Sequence, residues 1–169
     1  LIRSPRGRAL QMNSGAATAR GDVLLFLHAD TRLPPGVLPL LESRVSHAHD
    51  WGRFDVRIEG RPAMLKWVAW LMNWRSRLTG IATGDQAMFM TRAAFDAVGG
   101  FPQQPLMEDI EMSSRLRRLA RPLCLTDQVV TSGRRWEQRG VWRTIFLMWR
   151  LRWAYWRGVP AGQLAKAYR

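Results

Sequence analysis

Val23-Leu24-Leu25-Phe26-Leu27 is an unbroken apolar run that halts at His28-Ala29-Asp30, with Pro34-Pro35 close behind. Such a run between turn signals is the pattern of a strand covered on both faces, as in a parallel sheet flanked by helices. Asp30 then stands just past the strand's carboxyl end. In open α/β sheets that is the edge where ligands bind.

The neighbouring sequence supports an α/β layered fold. Residues 6–20 carry apolar positions compatible with one buried helical face, and Gly21-Asp22 breaks the pattern. Pro34-Pro35 opens a helix running to about Arg44. Phe54 to Ile58 alternates like a half-exposed strand. Residues 62–78 form a Trp-rich helix ended near Gly80. Gly84-Asp85-Gln86 is a loop before a short strand at 87–90. Residues 92–98 form a helix closed by Gly99-Gly100. Glu108-Asp109 opens a helix to about Leu119. Residues 123–125 and 129–131 are two strand-like pieces. An amphipathic helix spans about 141–157, with a short tail after Pro160. The 169 residues are read as a single domain over 1–169, enough for one sizeable core.

Composition bounds the partners. The net charge is +13, and nearly all the basic residues are Arg. That favours polyanions, namely nucleic acid, anionic lipid or phosphorylated ligands. The Arg residues are scattered, and none of the usual nucleic-acid motifs occurs, so nucleic acid is not the expected partner. Cys124 is the single cysteine, which excludes an intrachain disulfide and fits a small core residue. The His residues have no zinc-type spacing.

Two acidic features carry candidate chemistry. Asp30, with His28 beside it, offers oxygen to a hard divalent cation, or else caps a turn. Glu108-Asp109 at a helix start either answers the helix dipole or provides a general base at the cleft rim. Gly84-Asp85-Gln86 adds a polar insertion whose glycine permits close approach to a ligand.

The ordered segments GRALQMNSGAATARGDVLLFLHADTRLPPG, GDQAMFM, GGFPQQPLMEDIEMSSRLRRL and TSGRRWEQRG together resemble the family-2 glycosyltransferases of GT-A fold. They most resemble a small bacterial subgroup associated with radical-SAM/selenoprotein-type genes. The similarity covers nearly the whole chain. It implies an open, mostly parallel Rossmann-like sheet flanked by helices, and a chain that lacks the family's first N-terminal strands. It further implies a nucleotide-sugar donor and Mn2+ or Mg2+ as cofactor. Asp30 matches the metal-binding end of the DXD motif, with His28 in place of its first Asp. Asn13 and Gly15 match the stretch bordering the nucleotide. Gly84, Asp85 and Gln86 match a segment near donor sugar and acceptor. Asp109 matches the catalytic base of inverting members, with Glu108 beside it. Arg135 and Trp136 match the end of the QxxRW motif, without its Gln. The expected reaction is one in-line, metal-dependent displacement onto a hydroxyl acceptor, and the implied enzyme is a glycosyltransferase.

Residues 141–157 mix Trp142, Trp149, Trp153 and Trp156 with Arg143, Arg150 and Arg157. Arginines interrupt the run too often for a membrane span, which needs about 20 apolar residues. The pattern fits either a helix lying in a membrane interface or a core helix with an Arg stripe. A lipid-linked or hydrophobic acceptor follows as an expectation, with action in the cytoplasm or peripherally at the inner face of the cell membrane. The competing readings are a non-catalytic membrane-surface protein derived from a transferase and a basic nucleic-acid-binding module.

Overall fold

The computed structural model describes residues 2–168. The elements are α1 (Arg8–Thr18), β1 (Val23–Phe26), β2 (Thr31–Arg32), α2 (Val37–Arg44), β3 (Trp51–Glu59), α3 (Met64–Thr79), β4 (Met88–Thr91), α4 (Arg92–Ala97), α5 (Glu108–Leu116), β5 (Leu123–Ser132), α6 (Arg134–Arg139), α7 (Val141–Trp156) and α8 (Ala161–Tyr168).

The strands form one five-stranded sheet in the order β1-β4-β3-β5-β2. The expectation of a mostly parallel sheet is corrected. Only β3 and β5 pair in parallel, while β1–β4, β3–β4 and β2–β5 are antiparallel. None of the antiparallel pairs is a hairpin; each joins strands separated by at least one helix, a connection long enough to return the chain in either direction. The apolar run of β1 lies at the end of the sheet, not at its centre.

The centre belongs to β3. It begins earlier than its alternation suggests, and Trp51 to Phe54 are all buried. Strict alternation of inward and outward residues holds only from Phe54 onward. Residues 123–132 are one strand rather than two. Its register against β3 slips between Phe54 and Asp55, so Phe54 faces Leu125 and Asp55 faces Gln128. That bulge places Thr126 and Asp127 outside the ladder. Gly52 is needed where β3 meets β5, since a Cβ there would sit 2.2 Å from the Leu123 carbonyl oxygen.

Helix α3 docks on β3 through polar clasps. β4 pairs with β3 only over Trp51–Arg53, which leaves the Val56 edge open. The Asn73 amide closes it, accepting from Val56 N at 2.9 Å and donating to Val56 O at 3.0 Å. Beside it, the fully buried Arg53 donates to Ser76 Oγ and pairs with Asp55, which also takes Arg77. Apolar residues from β3, β4, β5 and α3 fill the space around these groups. A second cluster packs α1, α4 and α5 against β1 and β4. A third joins α7 and α8 to the turn before α5.

Cys124 is half-buried and reduced. Helices α6 and α8 had no clear signal in the sequence. None of the described helices is long and apolar enough to cross a membrane.

Candidate functional site

A cleft of about 1990 Å3 runs along the ends of β1 and β5, walled by α1, α3, α6 and α7. This exceeds the few hundred to about 1,000 Å3 usual for a single small ligand, and so suits an extended or two-part substrate. Asp30, Asp85 and Asp109 all line it, from three separate segments of the chain.

A chain of hydrogen bonds links those segments. Gly84 N donates to Asp109 Oδ2 at 2.9 Å. The Asp109 Oδ1 accepts from Ile110 N at 2.8 Å, so the carboxylate is held at the first turn of α5 from both sides. One residue along, Asp85 Oδ1 lies 3.1 Å from His28 Nδ1. The other ring nitrogen of His28 lies 2.6 Å from Arg8 Nη2. A guanidinium can only donate. Nε2 is therefore the acceptor, and the ring proton sits on Nδ1, facing Asp85. A Cβ at Gly84 would fall 2.2 Å from His28 Nε2, so only glycine lets the ring lie there.

Asp85 stands deep in this open cleft, yet its side chain keeps 46% of its accessible surface. Burial pushes its carboxyl upward, but the His28 hydrogen bond and the charges of Arg8 and Arg135 outweigh that and lower it overall. Glu108 turns the other way. Its side chain is 1% exposed and lies beneath Arg8, whose Nε is 3.1 Å from Glu108 Oε1. Burial raises the Glu108 carboxyl above the usual range, Arg8 opposes this, and Asp109 adds to it. Of the adjacent pair, Asp109 faces the cleft and Glu108 the interior.

The remaining sequence candidates divide in the same way. Gly15, His28, Gly84, Arg135 and Trp136 line the cleft. Arg135 stacks over the Tyr168 ring at 4.3 Å. Burial lowers its guanidinium from the ordinary value, helped by Arg139 and Arg8 and opposed by Asp85 and Asp30. Asn13 and Gln86 lie outside the cleft wall. Asn13 exchanges two hydrogen bonds with the Phe101 backbone, joining α1 to the turn after α4. Gln86 is fully buried and caps its own 3-10 turn through Thr83.

Among the described residues, no three His, Cys, Asp or Glu side chains converge into a ready-made metal site. Both nitrogens of His28 are engaged, so it is no free ligand. Asp30 is an exposed carboxylate at the rim. That donor set fits a hard cation only in the mode where one or two carboxylates hold it and substrate phosphates complete its shell.

Three cleft arginines carried no sequence signal. Arg8 organises His28 and Glu108, and Arg75 and Arg152 approach from α3 and α7. With one arginine among many, only the tertiary structure tells which of them turn inward.

Over 156 residues, the chain is 26% identical to the beta-monoglucosyldiacylglycerol synthase of Synechocystis sp.. The match covers 80% of this chain and 32% of that relative's length. The chain is thus similar, at a distance and over most of its length, to a glycosyltransferase. No family profile matches it, and no solved structure does.

Proposed function

We propose that this protein is a metal-dependent, inverting glycosyltransferase that moves a sugar from a nucleoside-diphosphate donor to a hydroxyl of a lipid or other hydrophobic acceptor. The observation that carries the reading is the meeting of Asp30, Asp85 and Asp109 in one basic cleft. The distant similarity to a glucosyldiacylglycerol synthase supports the reaction type and the acceptor class.

In this mechanism Asp109 is the general base. Two backbone N–H donors orient its carboxylate, and each oxygen keeps a lone pair for the incoming proton. The acceptor O–H proton passes to Asp109, and the freed oxygen attacks the anomeric carbon. The bond from that carbon to the diphosphate oxygen breaks, and its electron pair leaves with the nucleoside diphosphate. One displacement inverts the centre. Asp30 would hold Mg2+ or Mn2+, which when bound supplies Lewis-acid stabilisation of the leaving diphosphate. Arg134 and Arg135 add charge-assisted hydrogen bonds to it. Asp85, steadied by His28, accepts hydroxyl hydrogen bonds from the donor sugar.

The acceptor class has its own support. Trp67, Trp70, Leu71, Trp74 and Leu78 form an exposed ridge on α3, and Trp142, Phe146, Trp149, Trp153 and Trp156 form another on α7. Trp67, Leu71, Trp142 and Trp149 of these ridges also border the cleft. Such a mouth suits an amphiphile whose tail stays in a membrane.

The test is sugar transfer from nucleoside-diphosphate sugars to diacylglycerol in vesicles, with Mg2+ or Mn2+. Asp109→Asn should lower the rate roughly 100- to 10,000-fold, the scale of general-base loss. An Asp109→Asn protein transferring at the wild-type rate would remove the base from this scheme.

A further inference from the structure

The cleft holds two cations that the proposed chemistry does not use. Arg75 of α3 and Arg152 of α7 both line it. Nε and Nη2 of Arg75 and Nε of Arg152 are shielded from water and have no hydrogen-bond partner. A guanidinium N–H shielded from water without an acceptor is costly, and folded proteins rarely keep one without reason.

The nearby carboxylates do not relieve them. Asp109 feels both charges, but its carboxylate bonds Gly84 N and Ile110 N and leaves those guanidinium nitrogens without an acceptor. Asp85 is taken by His28. Arg75 and Arg152 instead lie close enough to repel each other. Burial pushes Arg75 down to about 10, with Arg152 and Arg53 adding to the fall and Asp109 opposing it. The wall as a whole carries Arg8, Arg75, Arg134, Arg135, Arg139 and Arg152 against Asp30, Asp85 and Asp109. The surplus is positive.

We propose that Arg75 and Arg152 form a preorganised phosphoryl-binding site between α3 and α7. Two planar forks approaching from different helices suit a tetrahedral group that has oxygens for both; one fork would satisfy a carboxylate. The site is distinct from the Asp30 rim and adjoins Asp109. The identity of the phosphoryl group as a substrate's rests on the transferase reading, whereas its binding rests on the geometry alone. The group belongs either to the donor's diphosphate or to a lipid headgroup entering between the aromatic ridges.

Two probes separate those sources. Inorganic pyrophosphate, titrated by calorimetry without sugar or metal, reports the first. Flotation with phosphatidylcholine vesicles containing phosphatidic acid reports the second. Arg75→Gln and Arg152→Gln should each weaken at least one of these by tenfold or more, and the probe affected identifies the source. Arg75→Lys should retain part of the binding, and Arg150→Gln, on the exposed face of α7, should leave pyrophosphate affinity unchanged. Melting curves check that each variant is folded, and Arg75→Lys with Arg152→Gln suffices if Arg75→Gln is not. Wild-type protein that binds neither probe, or Gln variants that bind both as tightly as wild type, would overturn the site. Loss of transfer with Arg-dependent binding intact would count against the transferase reading alone.

Discussion

At the scale of single residues, the site depends on opposed environments for neighbouring carboxyls. Glu108 and Asp109 are adjacent, yet one is sealed under Arg8 and the other opens to the cleft. The folded protein raises the Glu108 carboxyl, so between 4.5 and that raised value the native state binds more protons than the unfolded chain. Its contribution to stability is therefore lost as pH rises through this window. Asp85 is lowered, and so is Asp50 in the turn before β3, where burial raises the carboxyl but hydrogen bonds from His47 N and Ser46 N outweigh it; their contributions are present above 3.8 and fall away below it. The two effects occupy different pH ranges. Glu108→Gln should consequently gain melting temperature relative to wild type as pH is raised from 4.5 towards 7. A difference constant across that range would mean that Glu108 titrates normally. Gly84 offers a second test at this scale. Gly84→Ala must displace the His28 ring or shift the turn, since the contact is 2.2 Å. Nucleotide-sugar affinity should fall roughly tenfold, about 1.4 kcal/mol, while the fold persists.

Among the elements, α3 does two jobs with opposite faces. Its inner face clasps β3, and its outer face carries tryptophans. Asn73→Ala would leave Val56 N–H and C=O unpaired in the interior. A buried group stripped of its partner costs about 1–3 kcal/mol. Chemical denaturation should show a loss of that order or more, whereas Trp74→Ala on the outer face should cost far less. This division also marks what could be read without coordinates. Periodicity and glycine stops located α1, α3, α5 and α7, because helical faces and caps are local properties. Asp30, Asp85 and Asp109 were legible as polar interruptions of apolar segments. Sheet direction was not, because an apolar run looks alike at a parallel centre and at a sheet end, where β1 pairs antiparallel with β4. The unity of β5 was hidden by Thr126 and Asp127, which look like a turn and are a bulge. Asn13 and Gln86, picked from motif position, serve as clasps. Arg75 and Arg152 gave no signal, since inward orientation depends on packing between distant helices.

Across the whole molecule, charge and aromatic surface act together. The net charge of +13 is spread widely, but the tryptophan ridges of α3 and α7 meet at one cleft mouth. On α7 the stripe from Trp142 to Trp156 runs beside exposed Arg143, Arg150 and Arg157. Aromatic rings favour the headgroup boundary of a bilayer, and arginines there attract anionic lipid. The two contributions respond differently to conditions. Replacing Trp149 and Trp153 by Ser should weaken binding to neutral and anionic vesicles alike, with little salt dependence. Replacing Arg143, Arg150 and Arg157 by Gln should spare neutral vesicles. Each basic residue near an anionic surface contributes about 1 kcal/mol, so losing three should weaken anionic-vesicle binding on the order of a hundredfold at low salt. That difference should shrink as the Debye length falls towards about 3 Å at 1 M salt. If neither set of changes alters vesicle binding, the ridges serve another partner. Sedimentation at rising concentration would then show whether that partner is a second copy of the chain, whose burial of both ridges would appear as a dimer lost in the Trp variants.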